Sequence, residues 1–334
     1  MRQEQVRRII SLALLILLFG IFALTTDNFL TVPNLLNILR ESSVVGIIAV
    51  GVTFVIITAG IDLSTGAIVG VTAMICANLL YHFHLPASVI ILIAITIGTL
   101  SGLLNGILVS FFRLPDFIAT LSTQFIFQAM MLVFAIKENG SIVNKVITDR
   151  GILLAGGSIG GLYLVTMAFI LLAVIGQIVL KKTRLGVYVY ATGTNKKSSE
   201  LSGINTSRIK IAVFTITGFL CGIASIFTMG RVGSVSTDIG TGLEFNVISA
   251  VVVGGCAFSG GRGDVVGSVI GALFMAVLQN GILKYNFPTA VQLIVKGSVI
   301  VIMIIFDALY HSYMKKRMLS QMKDDEQVLV GGEA

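Results

Sequence analysis

Long apolar runs separated by short polar segments dominate the chain, and they predict membrane-spanning helices. Each run has about the 20 residues that a helix needs to cross a bilayer core of roughly 30 Å. The runs lack the alternation of apolar and polar positions that a transmembrane barrel strand requires. Ten runs meet this description, and they cover residues 9–26, 43–60, 63–80, 87–112, 117–136, 162–180, 211–230, 245–261, 265–283 and 287–306.

The segments between the runs predict the rest of the organisation. Residues 29–40 predict a short helix that lies at the outer surface of the membrane, with Thr31 and Pro33 at its start. Its apolar side chains recur at helical spacing; they are Val32, Leu35, Leu36 and Leu39. Residues 137–161 predict an irregular outer loop that divides the ten spans into five and five. An odd number of spans in each half gives inverted halves, as in many transporters.

The sequence therefore predicts an all-α polytopic membrane protein of about ten transmembrane helices in two inverted five-helix halves. A single transmembrane domain is expected at residues 1–320, followed by a polar cytoplasmic tail at residues 321–334. Composition agrees with this class, since 55% of the residues are hydrophobic and only 12% are charged. Soluble domains carry roughly 25% charged residues, so a water-soluble globule is excluded.

The positive charge of the chain reports its orientation. Sixteen of the 23 Lys and Arg residues fall in the segments that face inward if the N-terminus is cytoplasmic. An even number of spans then places both termini in the cytoplasm, in agreement with the positive-inside rule. The net charge of +7 is thereby explained without nucleic-acid binding.

The longest inward segment, residues 181–210, carries seven basic residues and one acid, Glu200. Asn195 predicts the N-cap of a short helix that runs to Leu201, and Ser202-Gly203 predicts its left-handed stop. The basic excess favours a docking surface for a partner, while an ordinary cytoplasmic loop remains the alternative.

Catalytic chemistry has no support in the sequence. The phosphate-binding pattern G-x-x-x-x-G-K-[ST] is absent, so any ATP that drives this chain must bind to another polypeptide. The three cysteines lie in apolar runs and the three histidines have no ligand pattern around them. We therefore expect neither an enzyme nor a metal site.

Uncharged polar side chains lie within the spans, whereas the acids lie at span ends. Lys296 is the one charged residue within a run, so an ion-coupled carrier would lack an obvious coupling group. Amides can hydrogen-bond a neutral polyol without the desolvation penalty of a charge. They either line a substrate path or form interhelical hydrogen bonds; the candidates are Asn105, Gln124, Gln279 and Asn280.

Glycines recur every four residues in three spans, for example at Gly98, Gly102 and Gly106. Such rows allow two helix backbones to approach closely in lipid. They predict either a sliding interface or tight static packing.

Four stretches of the sequence resemble the permease subunits of bacterial ABC importers for ribose and related monosaccharides. They are NLLNIL at 34–39, GIDLSTG at 60–66, RLGVYVYATGTNKKSSELSGIN at 184–205 and EFNVISAVVVGGCAFSGGRG at 244–263. The resemblance covers nearly the whole chain. Family members often show two glycines followed by IDLSVG, where this chain has Ala59-Gly60 and Thr65.

The resemblance implies a subunit of the bacterial inner membrane that works with several partners. These are two cytoplasmic ATPase subunits that use ATP and Mg²⁺, a second permease copy, membrane lipid, and a periplasmic or lipid-anchored sugar-binding protein. The permease itself holds no cofactor. Residues 181–210, which we name the coupling loop, would contact the ATPase through Arg184, Gly186, Tyr190, Gly193, Asn195, Glu200, Ser202, Gly203 and Ile204. Structural motif residues would be Gly60, Asp62, Ser64, Gly66, Gly254, Gly255, Gly260, Gly261 and Gly263.

The expected function is translocation of a monosaccharide, with ribose favoured, that a binding protein delivers. Relatives of this kind also carry galactose, xylose, autoinducer or nucleosides, so these cargoes remain alternatives. An ion-coupled secondary carrier is a further alternative.

Overall fold

The computed structural model describes residues 2–138, 141–288, 290–295, 297–299, 301–302 and 305. Two units are distinguished, residues 1–287 and residues 288–334. In the second unit, positions 290–295 and 297–299 are helical. The predictions for Lys296 and for the tail at 321–334 lie outside the described residues.

The first unit is built almost entirely of helices. They are α1 (Arg2–Thr25), α2 (Val32–Ile57), α3 (Thr65–Phe83), α4 (Ala87–Ser110), α5 (Asp116–Val133), α6 (Arg150–Ala155), α7 (Leu164–Lys182), α8 (Arg184–Thr194), α9 (Lys196–Leu201), α10 (Thr206–Val232), α11 (Leu243–Val253) and α12 (Val265–Lys284). Among the described residues, eight helices are long and apolar enough to cross a membrane: α1, α2, α3, α4, α5, α7, α10 and α12. The predicted all-α polytopic membrane class is confirmed, whereas the count of ten spans and the cytoplasmic termini stay predictions.

Short strands occur only in the outer segments of the described chain. They are β1 (Lys137–Glu138), β2 (Ser141–Ile142), β3 (Lys145–Val146), β4 (Ser158–Ile159), β5 (Leu162–Tyr163) and β6 (Ser234–Val235). They pair antiparallel as β1 with β2, β3 with β6 and β4 with β5. The predicted irregular loop at 137–161 is thus partly ordered by two-residue strand pairs and by α6.

The predicted separate interfacial helix after Pro33 is wrong, because α2 runs without a break from Val32 to Ile57. At 1.5 Å per residue its 26 residues extend about 39 Å, longer than the bilayer core. The polar residues at the predicted boundary are accommodated inside the helix, since the Ser42 hydroxyl donates to the Leu39 carbonyl at 2.9 Å and Glu41 pairs with Arg231.

The predicted continuous span at 245–261 is also wrong. Helix α11 ends at Val253 after 11 residues, about 16 Å, and the chain continues without helix to Asp264. Glycines at positive φ, Gly255 and Gly260 among them, explain the early end, because such conformations cannot continue a helix. We call residues 58–64 the first connection and residues 254–264 the second connection.

The core lies around α2. In its most apolar stretch 83% of the residues are buried, against 11% in the corresponding stretch of α1. Helix α4 packs closely against α10, as its glycine row predicts. A Cβ at Gly98 would overlap the carbonyl oxygen of Gly218, and one at Gly102 would overlap that of Phe214. The backbones therefore touch directly at this crossing.

Candidate functional site: the coupling surface

Three side-chain caps shape the coupling loop. The Thr183 hydroxyl accepts a hydrogen bond from the Gly186 amide at the start of α8. The Asn195 carboxamide accepts one from the Ser198 amide at the start of α9, at 3.0 Å. The Asn205 carboxamide caps α10 in the same way. Caps of this kind satisfy amides that the first turn of a helix leaves free.

Helix α9 ends as the sequence predicts. Gly203 has φ +82°, and its amide donates to the Glu200 carbonyl at 3.0 Å. The Ile204 amide donates to the Ser199 carbonyl at 3.0 Å. These two bonds form the glycine-dependent helix stop known as the Schellman motif, which gives α9 a defined length of six residues.

Helix α8 packs against the end of α2 and against the second connection. A Cβ at Gly193 would overlap the carbonyl oxygen of Ile57, the last residue of α2. The same carbonyl accepts a hydrogen bond from the Gly261 amide at 2.8 Å, and the Tyr190 hydroxyl donates to the Gly263 carbonyl at 2.6 Å. Helix α8 is thereby bonded to the second connection and packed against the end of α2.

The joint between α7 and α8 is equally close. A Cβ at Gly186 would overlap the carbonyl oxygen of Leu180, so only glycine fits here without a shift of the backbone. The Lys181 ammonium lies 5.0 Å above the Tyr190 ring, within the range of a cation–π contact. Arg184 is exposed on the same helix. A movement of α8 would therefore displace α7, the end of α2 and the second connection as well.

The first connection holds a buried polar network. Asp62 Oδ1 accepts hydrogen bonds from the Ser64 amide at 2.9 Å and from the Ser64 hydroxyl at 2.6 Å. The Asn105 amide group donates to Ser64 Oγ at 2.7 Å, and the Thr123 hydroxyl donates to Asn105 Oδ1 at 2.7 Å. The network joins the start of α3 to α4 and α5.

Asp62 lies in the first connection, outside α2 and α3, and is fully buried. Its Oδ2 atom has no partner among the described residues. Burial raises the pKa of Asp62 to about 6, against the opposing effect of its hydrogen bonds from Ser64, because the charged form loses its hydration. Ala59, where the family often has glycine, adopts φ +58°, a left-handed conformation that is strained for alanine.

The remaining motif glycines lie at close backbone contacts. A Cβ at Gly66 would overlap the Gly240 carbonyl, and one at Gly254 would overlap the Gly267 carbonyl. A Cβ at Gly60 would lie 2.6 Å from the Asp116 carboxylate. Positive φ angles occur at the other four motif glycines, Gly255, Gly260, Gly261 and Gly263.

Two ion pairs brace the side of the molecule that carries the coupling loop. The Lys210 ammonium donates to the Asp116 carboxylate at 2.5 and 2.8 Å, which links the starts of α10 and α5. Arg8 of α1 pairs with Asp264, whose other oxygen accepts from the Gly267 amide at 2.7 Å and caps α12. Spacing along the sequence gave no signal for either pair.

The four amides proposed for the substrate path are not brought together. Asn105 belongs to the network of the first connection, and Gln124 donates to Glu244 Oε1 at 3.2 Å. Asn280 exchanges two hydrogen bonds with Asn34, at 3.0 and 3.1 Å. The fourth, Gln279, has a buried Oε1 without a partner in the described chain. Their part in a substrate path stays a prediction.

Sequence reasoning missed the exposed apolar residues of the coupling loop. Leu201, at the end of α9, is 83% exposed, and Val187 of α8 is 63% exposed. Single exposed apolar side chains are common on protein surfaces, so their exposure alone does not establish an interaction site. The sequence predicted that Leu201 ends the capped helix α9. Its exposure was not predicted, because exposure depends on how α9 packs in the fold.

The described residues contain no group of three or more His, Cys, Asp or Glu side chains that could hold a metal ion. At the coupling surface, capped helices, close backbone contacts and ion pairs connect an exposed loop to the interior helices.

Comparisons with known proteins agree with this architecture. The family described as Branched-chain amino acid transport system / permease component matches residues 34–304. The Ribose import permease protein RbsC of Haemophilus influenzae is 36% identical over 296 residues, 88% of this chain and 90% of that protein. The protein of the same name from Bacillus subtilis is 36% identical over 294 residues, again 88% and 90%.

A relative with another cargo in its name is almost as similar. The Galactose/methyl galactoside import permease protein MglC of Haemophilus influenzae is 33% identical over 318 residues, 91% of this chain and 94% of that protein. Both the family match and the relatives cover most of the chain. The protein described here therefore belongs to this family of permease components of transport systems.

Proposed function

We propose that the chain is the membrane-spanning permease subunit of an ATP-driven importer, and that its cargo is a monosaccharide, with ribose favoured. Its place is the bacterial inner membrane, which it crosses several times. One observation carries the proposal: similarity to ribose import permeases extends over 88% of this chain and 90% of two relatives. Relatives named for galactose and xylose import support the broader sugar class.

Energy would come from a partner. The sequence has no phosphate-binding loop of the G-x-x-x-x-G-K-[ST] type, so ATP and Mg²⁺ belong to a separate ATPase subunit. The coupling loop supplies the contact, with α9 as the protruding element and Leu201 as an apolar anchor. The coupling loop also exposes the cations Arg184, Lys196 and Lys197, which favour an acidic partner surface.

Helix α8 contacts the end of α2 and the second connection. Through these contacts a displacement of α9 would move the membrane-spanning helices. Tyr190 and Gly193 tie α8 to the backbone at Gly263 and Ile57. Helix α2 forms the core of the bundle, so displacement of its end changes the packing of several helices together. A second permease copy and a sugar-binding protein on the outer side complete the proposed importer.

Binding to the ATPase tests the assigned anchor. Leu201→Ser should weaken co-purification of the permease with its ATPase by about tenfold or more, because burying a leucine contributes roughly 1.5–3 kcal/mol. Leu154→Ser is the matched control, since Leu154 is also exposed but lies in α6 of the outer segment. Equal binding by both variants would remove α9 from the interface.

Competition identifies the cargo. Uptake of labelled ribose by the assembled importer should be abolished by excess unlabelled ribose and reduced far less by galactose or xylose. Full inhibition by galactose, without inhibition by ribose, would overturn the ribose assignment and leave the permease assignment intact.

A further inference from the structure

A polar cavity of about 450 Å³ opens beside the coupling loop. It lies between the turn that joins α4 to α5, the helix α9 and the first turn of α10. The residues that line it are Val109, Ser110, Arg113, Leu114, Pro115, Asp116, Lys196, Glu200, Thr206, Ser207 and Lys210. Lys196 and Glu200 are shared with the proposed ATPase contact, whereas the proposed transport mechanism uses none of the other lining residues.

The charges in the cavity favour an anion. Asp116 is paired with Lys210, whereas Glu200 accepts from the neutral Thr206 hydroxyl at 2.6 Å and keeps its negative charge. The lining thus carries three cations and two carboxylates. Two of the three cations, Arg113 and Lys196, have no acidic partner among the described residues. The net charge of the lining is therefore positive.

Two serines, which carry hydroxyl donors, are among the residues that line the cavity. Ser110 lines it, and its hydroxyl oxygen is buried without a partner in the described part of the structure. Ser207 lines it from the first turn of α10. The positive end of the α10 dipole adds to the attraction for an anion. An unsatisfied buried hydroxyl beside two unpaired cations is typical of a site that lacks its ligand.

Exposed apolar residues adjoin the lining of the cavity in the sequence. Phe111 and Phe112 directly precede Arg113 and are 76% and 61% exposed. Their rings meet edge to face, with centroids 5.2 Å apart. They follow the last residue of α4, Ser110, where an apolar span gives way to the polar coupling loop. Exposed aromatic rings at such a boundary are typical of contact with lipid.

From the cavity, its unpaired cations and the adjacent rings we propose a binding site for the phosphate head group of an anionic phospholipid in the inner leaflet. Arg113 and Lys196 bind the phosphate, Ser110 donates to it, and the acyl chains lie along Phe111 and Phe112. Basic pockets on the cytoplasmic side of membrane proteins recognise such head groups. The lipid would bridge the turn between α4 and α5 to α9, and so hold the coupling loop at the membrane surface.

Native mass spectrometry of the full-length chain in detergent tests this site. The probes are phosphatidylglycerol and phosphatidylcholine with identical acyl chains. The wild type should retain phosphatidylglycerol preferentially. Arg113→Gln and Lys196→Gln should each weaken its binding by about fivefold, and the double variant by about 25-fold, because a basic residue near an anionic lipid contributes about 1 kcal/mol. Binding of phosphatidylcholine should not change.

Controls separate the site from general charge and from a soluble ligand. Lys182→Gln removes an exposed cation from the coupling loop outside the cavity and should leave phosphatidylglycerol binding unchanged. Wild-type affinity in the double variant, or an equal loss in Lys182→Gln, would overturn the proposal. If soluble glycerol 1-phosphate bound as tightly as phosphatidylglycerol and displaced it, the ligand would be a free phosphate ester and the lipid assignment would be wrong. Equal melting temperatures show that the variants are folded, as expected for exposed side chains.

Discussion

Gly193 and Tyr190 show how single residues can join two parts of a membrane protein. Gly193 brings the backbone of α8 against the carbonyl of Ile57, where no side chain fits. Tyr190 reaches past it to the Gly263 carbonyl. Both contacts are made to backbone atoms, which can move only if α2 or the second connection moves. The joint is therefore stiff because of what each residue touches, and its stiffness can be tested one residue at a time.

Gly193→Ala should lower the free energy of unfolding by about 1–3 kcal/mol, the usual cost of adding atoms to a fully packed site. The added methyl group would overlap the Ile57 carbonyl, and the backbone would have to shift. Thermal unfolding in detergent measures the effect. Gly20→Ala is the control, since it lies in α1 with no atom within 4 Å of the new Cβ, and should be neutral or slightly stabilising. If the two variants melted together, the close contact would carry no energy.

Asp62 gives a prediction for pH. The pKa of about 6 in the folded state exceeds the value of the unfolded chain, so between pH 4 and 6 the folded state binds more protons. Raising the pH then favours unfolding. The wild type should lose about 2 kcal/mol relative to Asp62→Asn between pH 4 and 7.

Thermal unfolding at a series of pH values checks this loss. Asp238→Asn, which removes an exposed carboxylate, is the control and should follow the wild type throughout. If the stability difference between the wild type and Asp62→Asn stayed constant across the pH range, Asp62 would have the same pKa in the folded and unfolded states, and the prediction would be wrong.

Residue-level prediction from the sequence succeeded where the signal is local. The cap at Asn195 and the stop at Gly203 depend on side chains within a few positions, and both were predicted. The partners of Asn105 and Gln124 were not, because they lie on helices distant in the chain. An amide in an apolar span indicates a hydrogen bond, but the sequence does not show whether sugar or another helix provides it.

At the scale of elements, composition predicted the apolar helices and missed where two of them begin and end. Helix α2 was divided in the prediction between Arg40 and Ser43, yet Arg40 donates to the Gly156 carbonyl and Glu41 pairs with Arg231. Helix α11 was predicted as a full span because residues 245–261 are apolar, yet the glycines that follow Val253 turn the chain. Hydropathy measures the environment of a segment and does not determine its backbone conformation.

Helix α9 should depend on the left-handed conformation of Gly203. Proline at this position would require φ near −65° in place of +82° and would remove the amide that bonds to the Glu200 carbonyl. We expect Gly203→Pro to abolish uptake by the assembled importer while the chain still inserts into the membrane. Gly203→Asn should retain most uptake, because asparagine tolerates the left-handed region. Normal transport by the proline variant would remove α9 from the coupling path.

At the scale of the whole molecule, the described helices form a bundle around α2, and an exposed loop is tied to the end of that helix. Sequence alone predicted the membrane class and the inner loop. The sequence could not predict the contact of α8 with the end of α2 and the second connection, because only the fold brings residues 57, 193 and 261 together. We infer that the chain supplies the joint that moves, while another subunit supplies the energy.

Sugar accumulation in proteoliposomes tests this assignment most directly. With the permease, its ATPase, its sugar-binding protein and ATP, labelled ribose should accumulate inside the vesicles against its concentration gradient. Omission of ATP or of the ATPase should reduce accumulation to the level of protein-free vesicles, with or without an imposed ion gradient. Accumulation by the permease alone would contradict the account.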